Sequence, residues 1–298
     1  MILKYKVIDN KYCNIKEVLK SYFSISDRLL TKLKKNNKIY LNNKVTYVNC
    51  KIKIEDLISI DLNFNEKSNN IFPTKMNLDI LFEDDSFLII NKPFNIPVHP
   101  SILHFNNSLS NGVQYYFEGN NITTKIRPVN RLDKDTSGIV IFAKNEYIQE
   151  CLIRQMKNNI FKKEYYAILE GHIQNASQTI NAPIARKDGS IIEREVNDNG
   201  TISITHINLI KNFKVNFNKF SFVHITLETG RTHQIRVHSK YICHPILGDT
   251  LYGNPSNLIS RQALHAYKVT FIHPITKKHI IIEACLPNDM KSILDSTI

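Results

Sequence analysis

Cysteine is sparse in this 298-residue sequence: Cys13, Cys50, Cys151, Cys243 and Cys285 are scattered, odd in number and form no Cys-x-x-Cys pair. That pattern argues against a disulfide framework or a zinc knuckle, and for a reducing compartment. The histidines do not change this. His233 and His238 are five apart rather than four, and Cys243-His244 adds no standard zinc spacing, so no metal is expected. Long apolar runs are missing too. Nothing approaches the ~18 consecutive apolar residues of a membrane-spanning helix, and the first residues hold no apolar stretch of signal length. No internal repeat or low-complexity array is visible. A soluble, cytoplasmic protein with no membrane partner is expected.

Acidic residues are also in short supply. Asp and Glu number 27 against 39 Lys and Arg, a net charge of +12 with a pI near 9.3. An excess of that size favours a polyanionic partner. The charge is concentrated at the front, where residues 1–62 hold 13 Lys+Arg and 6 Asp+Glu, a net of +7 that leaves +5 for the rest. With 42% hydrophobic and 22% charged residues, the chain has the composition of a globular protein, long enough for one large domain or two.

In the front segment, Ile15, Val18 and Leu19, then Leu29, Leu30 and Leu33, have helical spacing, with Ser26 placed to cap the second helix. Its outer face is expected to carry Arg28, Lys32, Lys34 and Lys35. Residues 38–48 read as a hairpin turning at Asn42-Asn43, and 57–62 as a strand. Residues 63–74 are polar, aperiodic and contain Pro73, which is linker composition.

Further on, 78–82 and 87–90 read as paired strands, 145–158 as a helix, and 161–171 as a strand with Tyr165, Ala167 and Leu169 on one face. Short strands follow at 180–184, 202–209 and 220–227. After Gly230 the spacing predicts a helix in which Arg231, Ile235 and His238/Ser239 share a face. A final strand ends near Phe271. The most chemically loaded stretch is 127–144, where Arg131, Asp133, Lys134, Asp135, Thr136 and Ser137 precede Gly138 and an apolar run, 139–143, that reads as a buried strand. Charged loops fed into rigid strands are where functional side chains concentrate, although an ordinary turn held by Asp133 or Asp135 would leave the same trace.

Two resemblances bear on these pieces. The stretch 26–45, with Leu-Asn-Asn-Lys-Val at 41–45, resembles the S4 RNA-binding module. Lys92-Pro with Val98-His-Pro100, Arg131-Leu-Asp-Lys-Asp-Thr-Ser-Gly138, Lys163-x-Tyr165-x-Ala167, Pro183-Ile184 with Arg186, Thr229-Gly-Arg-Thr-His-Gln-Ile-Arg236, His244-Pro245 with Gly248-Asp249, and Arg261-Gln-Ala-Leu-His-Ala266 resemble, in order, the landmarks of the RluA-type RNA pseudouridine synthases. These landmarks span roughly residues 78–275.

The resemblance implies an α+β fold: a mostly antiparallel mixed β-sheet with flanking helices and a central cleft, preceded by a small α/β S4-like domain. The implied division is an S4-like domain at 1–62, a linker at 63–74 and a catalytic domain at 75–298. The implied reaction is isomerisation of uridine to pseudouridine in structured RNA without cofactor, with ribosomal RNA favoured over tRNA as partner, by a monomer. By position, Asp133 takes the place of the catalytic carboxylate, Tyr165 that of the tyrosine packing on the target base, and Arg231 that of the basic residue paired with the carboxylate. Arg131 would help position backbone or loop, and Ile235 would line the uracil pocket. Asn130 stands where most relatives have His, and Asn95 where Gly usually follows Lys-Pro.

A carboxylate suits the chemistry because it can attack carbon or accept a proton. An aromatic platform would return part of the cost of extruding the target base. The rival readings are a non-catalytic RNA-binding or ribosome-assembly protein that kept the fold, and a glycosidase with paired carboxylates. The glycosidase fits poorly, because Asp133 and Asp135 share one short loop.

Overall fold

A computed structural model of the chain describes residues 1–68 and 70–296. Asn69, in the expected linker, and Thr297 and Ile298, at the end of the expected catalytic domain, lie outside the described residues. The front of the chain runs β1 (Ile2–Lys6), α1 (Ile15–Glu17) continuing into a π-helical turn at Val18–Tyr22, α2 (Asp27–Lys35), β2 (Ile39–Leu41), β3 (Lys44–Val45) and β4 (Leu57–Asp61). The strands form a sheet in the order β1-β4-β2-β3. Ser26 caps α2 by accepting from the Leu29 amide, and Asn42 and Asn43 turn the hairpin with φ of 48° and 64°, which asparagine tolerates.

The rest is built on a nine-stranded sheet. β5 (Ile80–Glu83), β6 (Phe87–Lys92), α3 (Leu109–Gly119), β7 (Ser137–Ala143), α4 (Glu146–Lys157), β8 (Lys162–Glu170) and β9 (Ser177–Asn181) come first. A separate two-stranded hairpin follows, β10 (Ile184–Arg186) with β11 (Arg194–Val196). Then come β12 (Ile204–Val215), β13 (Asn218–Leu227), α5 (Gln234–Tyr241), β14 (Leu264–Ile272), β15 (His279–Glu283) and α6 (Asn288–Asp295). The large sheet runs β5-β6-β7-β14-β8-β13-β12-β9, with β15 also on β14. Among the described residues, only β7 and β14 pair in parallel, at Ser137–His265 and Gly138–Ala266. The fold is α+β, with a mixed and mostly antiparallel sheet.

β7 is buried along its whole length because helices cover both faces of the sheet there. Successive side chains of a strand point to opposite faces. Ile139 and Ile141 accordingly join Tyr147, Ile148 and Leu152 of α4, while Val140 and Phe142 join Leu109, Val113 and Phe117 of α3. The α4 cluster is continuous with Leu3, Leu29, Leu33 and Ile60 of the front sheet and helices.

That continuity corrects one expectation about α2. Lys32 does not sit free on an outer basic face; it is half-buried, 2.5 Å from Glu66 and 3.3 Å from Glu146, with its ammonium 4.0 Å from the centre of the Phe64 ring. Arg28 also pairs with Glu146, at 3.2 Å, and Ser26 donates to Glu150 at 2.6 Å. The acidic edge of α4 draws Lys32 inward, while Arg28 pairs with it from solvent and stays exposed with Lys34 and Lys35.

Candidate active site

The loop carrying Asp133 enters β7 through Gly138, whose φ of +116° lies in the region that favours glycine. A Cβ there would come within 2.2 Å of the Ala266 carbonyl oxygen, so the parallel pairing of β7 with β14 requires glycine. Ala266 pairs with Gly138 on one side and with Tyr165 of β8 on the other. The sheet register therefore sets Tyr165 two strands from the end of the Asp133 loop.

Four side chains hold that loop. Lys92, fully buried at the end of β6, donates to the carbonyls of Pro93, Ile96 and Lys134 at 2.8, 2.8 and 2.9 Å. Burial pushes its ammonium down to about 7, against the opposing pull of Asp135 and Asp133. Arg261 donates to the Asp135 carbonyl at 3.3 Å, Gln262 to the Thr136 hydroxyl at 3.1 Å, and His265 bonds Ser137 at 2.9 Å. The loop is thus braced through Lys134, Asp135, Thr136 and Ser137, and the Asp133 side chain is left to the cleft. The two departures from the family pattern also have structural roles. Asn95 takes φ of +62°, and Asn130 bridges the backbone at Ile139 O and Ile141 N.

The cleft holds about 550 Å³ and is lined by His99, Arg131, Asp133, Lys163, Tyr165 and Arg231, among others. A smaller recess of about 70 Å³ shares Asp133 and Tyr165 with it and adds Ile235, Arg236 and Leu264. Tyr165 and Ile235 are buried, whereas Arg131 and Arg231 are exposed at the rim. Burial, with Asp133 adding its negative charge, holds the Tyr165 phenol well above its ordinary value. Tyr165 therefore stays protonated and offers a ring and an O–H donor.

Arg231 is not the partner of Asp133. Its Nε donates to the Ile202 carbonyl at 3.2 Å and its guanidinium faces solvent. The partner is Arg236, one helical turn further on, whose Nη1 donates to Asp133 Oδ2 at 3.1 Å. The difference arises because α5 begins only at Gln234. His233 adopts φ of +58°, which breaks the helix that the spacing predicted from Arg231 onward.

Arg236 is buried and gripped by Asp249, fully buried itself, through two bonds of 2.7 Å. Burial opposes its charge, but the bonds and charges of Asp249 and Asp133 raise its pKa above the ordinary arginine value. His233 adds a second group beside the carboxylate, with Nε2 3.8 Å from Asp133 Oδ2. The sequence carried a signal for this pairing. Asp249 is the sole acidic residue between Glu228 and Glu283, so an arginine buried in α5 had one local counter-charge available. Among the described residues, no group of three or more His, Cys, Asp or Glu side chains could hold a metal ion, and no helix is long and apolar enough to cross a membrane.

A carboxylate fixed by a buried arginine, beside a protonated tyrosine and an apolar floor in a basic-rimmed cleft, suits attack or proton transfer on a base extruded from RNA. The similarity to known proteins agrees. Residues 86–241 match the family model described as RNA pseudouridylate synthase. An uncharacterized RNA pseudouridine synthase of Bacillus subtilis, YhcT, is 40% identical over 93% of this chain and 90% of its own. The ribosomal large subunit pseudouridine synthase D of Blochmanniella floridana is 35% identical over 87% of this chain and 86% of its own. Among solved structures, human RNA pseudouridylate synthase domain containing 1 covers 71% of this chain and 84% of its own at 28% identity, with a TM-score of 0.59. The chain belongs to the RNA pseudouridine synthase family, in its RluA-type branch, and is an enzyme of that kind.

Proposed function

We propose that this enzyme converts uridine to pseudouridine at a specific position of large-subunit ribosomal RNA, with Asp133 as its catalytic carboxylate. In this isomerisation the N1–C1′ bond breaks, the uracil turns, C5 bonds to C1′, the C5 hydrogen leaves as a proton and N1 gains one. Atoms and electrons balance without a co-reactant.

The observation that carries the reading is the fixing of Asp133: one oxygen is held by buried Arg236 while the side chain borders a cleft floored by Tyr165 and Ile235. Arg131 and Arg231 at the rim supply phosphate contacts for the extruded nucleotide. The front segment, residues 1–62, acts as an S4-like RNA-binding unit joined by residues 63–74 to a catalytic unit from residue 75 onward. Its exposed Lys4, Lys34, Lys35, Lys44 and Lys51 form the basic surface. The ribosomal assignment is favoured by relatives whose names specify the ribosomal large subunit, including those of Blochmanniella floridana and Zymomonas mobilis.

The test uses tritium release from RNA labelled at uridine C5. D133A should release none from large-subunit RNA while binding it as the wild type does. Wild-type release from tRNA but not from ribosomal RNA would move the substrate assignment to tRNA.

A further inference from the structure

We infer that His233 and Tyr252 are positioning residues that orient the catalytic carboxylate, an inference that rests on Asp133 being that carboxylate. The Tyr252 hydroxyl oxygen accepts from the backbone N–H of Arg194 on β11 at 2.8 Å and lies 2.9 Å from His233 Nδ1. Among the described residues, its proton has one acceptor, Nδ1. If Nδ1 carried the proton instead, the phenol proton would have no partner. This bonding assigns the Nε2–H tautomer to His233. Burial supports a neutral ring, lowering the histidine pKa against the pull of Asp133.

The consequence lies at the carboxylate. His233 Nε2 lies 3.8 Å from Asp133 Oδ2, beyond a direct hydrogen bond but near enough for its N–H dipole to act on the carboxylate, and Arg236 Nη1 donates to the same oxygen at 3.1 Å. Oδ2 thus accepts from Arg236 and has His233 Nε2 beside it, whereas Oδ1 has no hydrogen-bond partner among the described residues. Oδ1 is therefore the oxygen free to meet the target nucleotide. In the other tautomer a lone pair on Nε2 would face the carboxylate and repel it.

Tyr252 is itself tied in twice more. Its backbone N–H donates to Asp249 at 3.1 Å and its ring lies 5.0 Å from the Arg236 guanidinium. The phenol oxygen thus links the β10–β11 hairpin to the histidine. The triad hydrolases show what is at stake, since a wrong tautomer there disables a site whose geometry is intact.

Y252F removes only the hydroxyl and keeps the ring over Arg236. In the tritium-release assay it should lower kcat about tenfold, equivalent to about 1.4 kcal/mol, with the KM for RNA little changed. H233Q places an amide N–H near the position of Nε2 and has no tautomer to fix, so adding Y252F to H233Q should cost almost nothing further. A purely structural tyrosine would instead cost the same in both backgrounds, and that result overturns the inference, as does full kcat in Y252F alone.

Because glutamine at φ of +58° is strained, a second measurement reads the tautomer without that substitution. The ¹⁵N imidazole spectrum of the wild-type chain should show His233, assigned by its loss in H233N, as the neutral Nε2–H form at pH 7. An Nδ1–H form or an imidazolium overturns the inference. D133N separates the two claims. An active D133N defeats the reading of Asp133, whereas an inactive D133N with an unaffected Y252F defeats only the role of the relay.

Discussion

Two arginines five residues apart have different surroundings, and those surroundings predict opposite behaviour. Arg236 is buried between Asp249 and Asp133, whereas Arg231 is exposed with one backbone contact. R236M would leave Asp249 charged, fully buried and without its guanidinium, which should destabilise the fold by about 3–5 kcal/mol. R231M should stay within about 0.5 kcal/mol of wild type in chemical denaturation and show its defect in the KM for RNA. Residue types marked the site well before the structure did, since Asp133, Tyr165 and Ile235 all border the same recess. The arginine could not be chosen from spacing alone. Arg231 and Arg236 sit in one motif, and a left-handed His233 decides which of them points inward.

Among the elements, the strands and helices with clear sequence patterns were legible: β7 as an apolar run, α4 with Asn145 accepting from Ile148 N as its cap, and β8 with Tyr165, Ala167 and Leu169 buried on one face. Helix α3 was not. It contains Gly112, where a Cβ would sit 3.0 Å from Met76, and ends at Gly119, so its local propensity is poor and tertiary packing stabilises it. Distant contacts of this kind leave no periodic trace. Gly138 is the sharpest test of how the elements set the site. G138A should lower stability by about 3 kcal/mol or more, since both the backbone angle and the contact with Ala266 oppose a side chain. A urea titration midpoint unchanged from wild type would contradict the register that places Tyr165 beside the Asp133 loop.

At the scale of the whole molecule, charge and protonation set two further expectations. His265, under the joint of β7 and β14, is pushed by burial from its ordinary 6.5 down to about 4. Between those values the unfolded chain binds a proton that the folded chain excludes. Its contribution is full above pH 6.5 and is lost as pH falls through the window, by up to about 3 kcal/mol. H265N should flatten that part of a stability-versus-pH curve. The basic front of the molecule divides in the same way. Replacing exposed Lys34 and Lys35 with Ala should reduce the slope of log affinity against log salt by up to about 2, whereas K32A should loosen the contact with Glu66 and Glu146 and show in thermal melting. The net charge of +12 made a polyanionic partner legible, but not which lysines the fold turns inward.

The most direct test of the central claim is carbodiimide-based mapping of pseudouridine in total RNA from cells lacking the gene, restored with either the wild-type chain or D133A. The account predicts that one or more sites in large-subunit ribosomal RNA vanish on deletion, return with the wild type and stay absent with D133A. Restoration of those sites by D133A would contradict it.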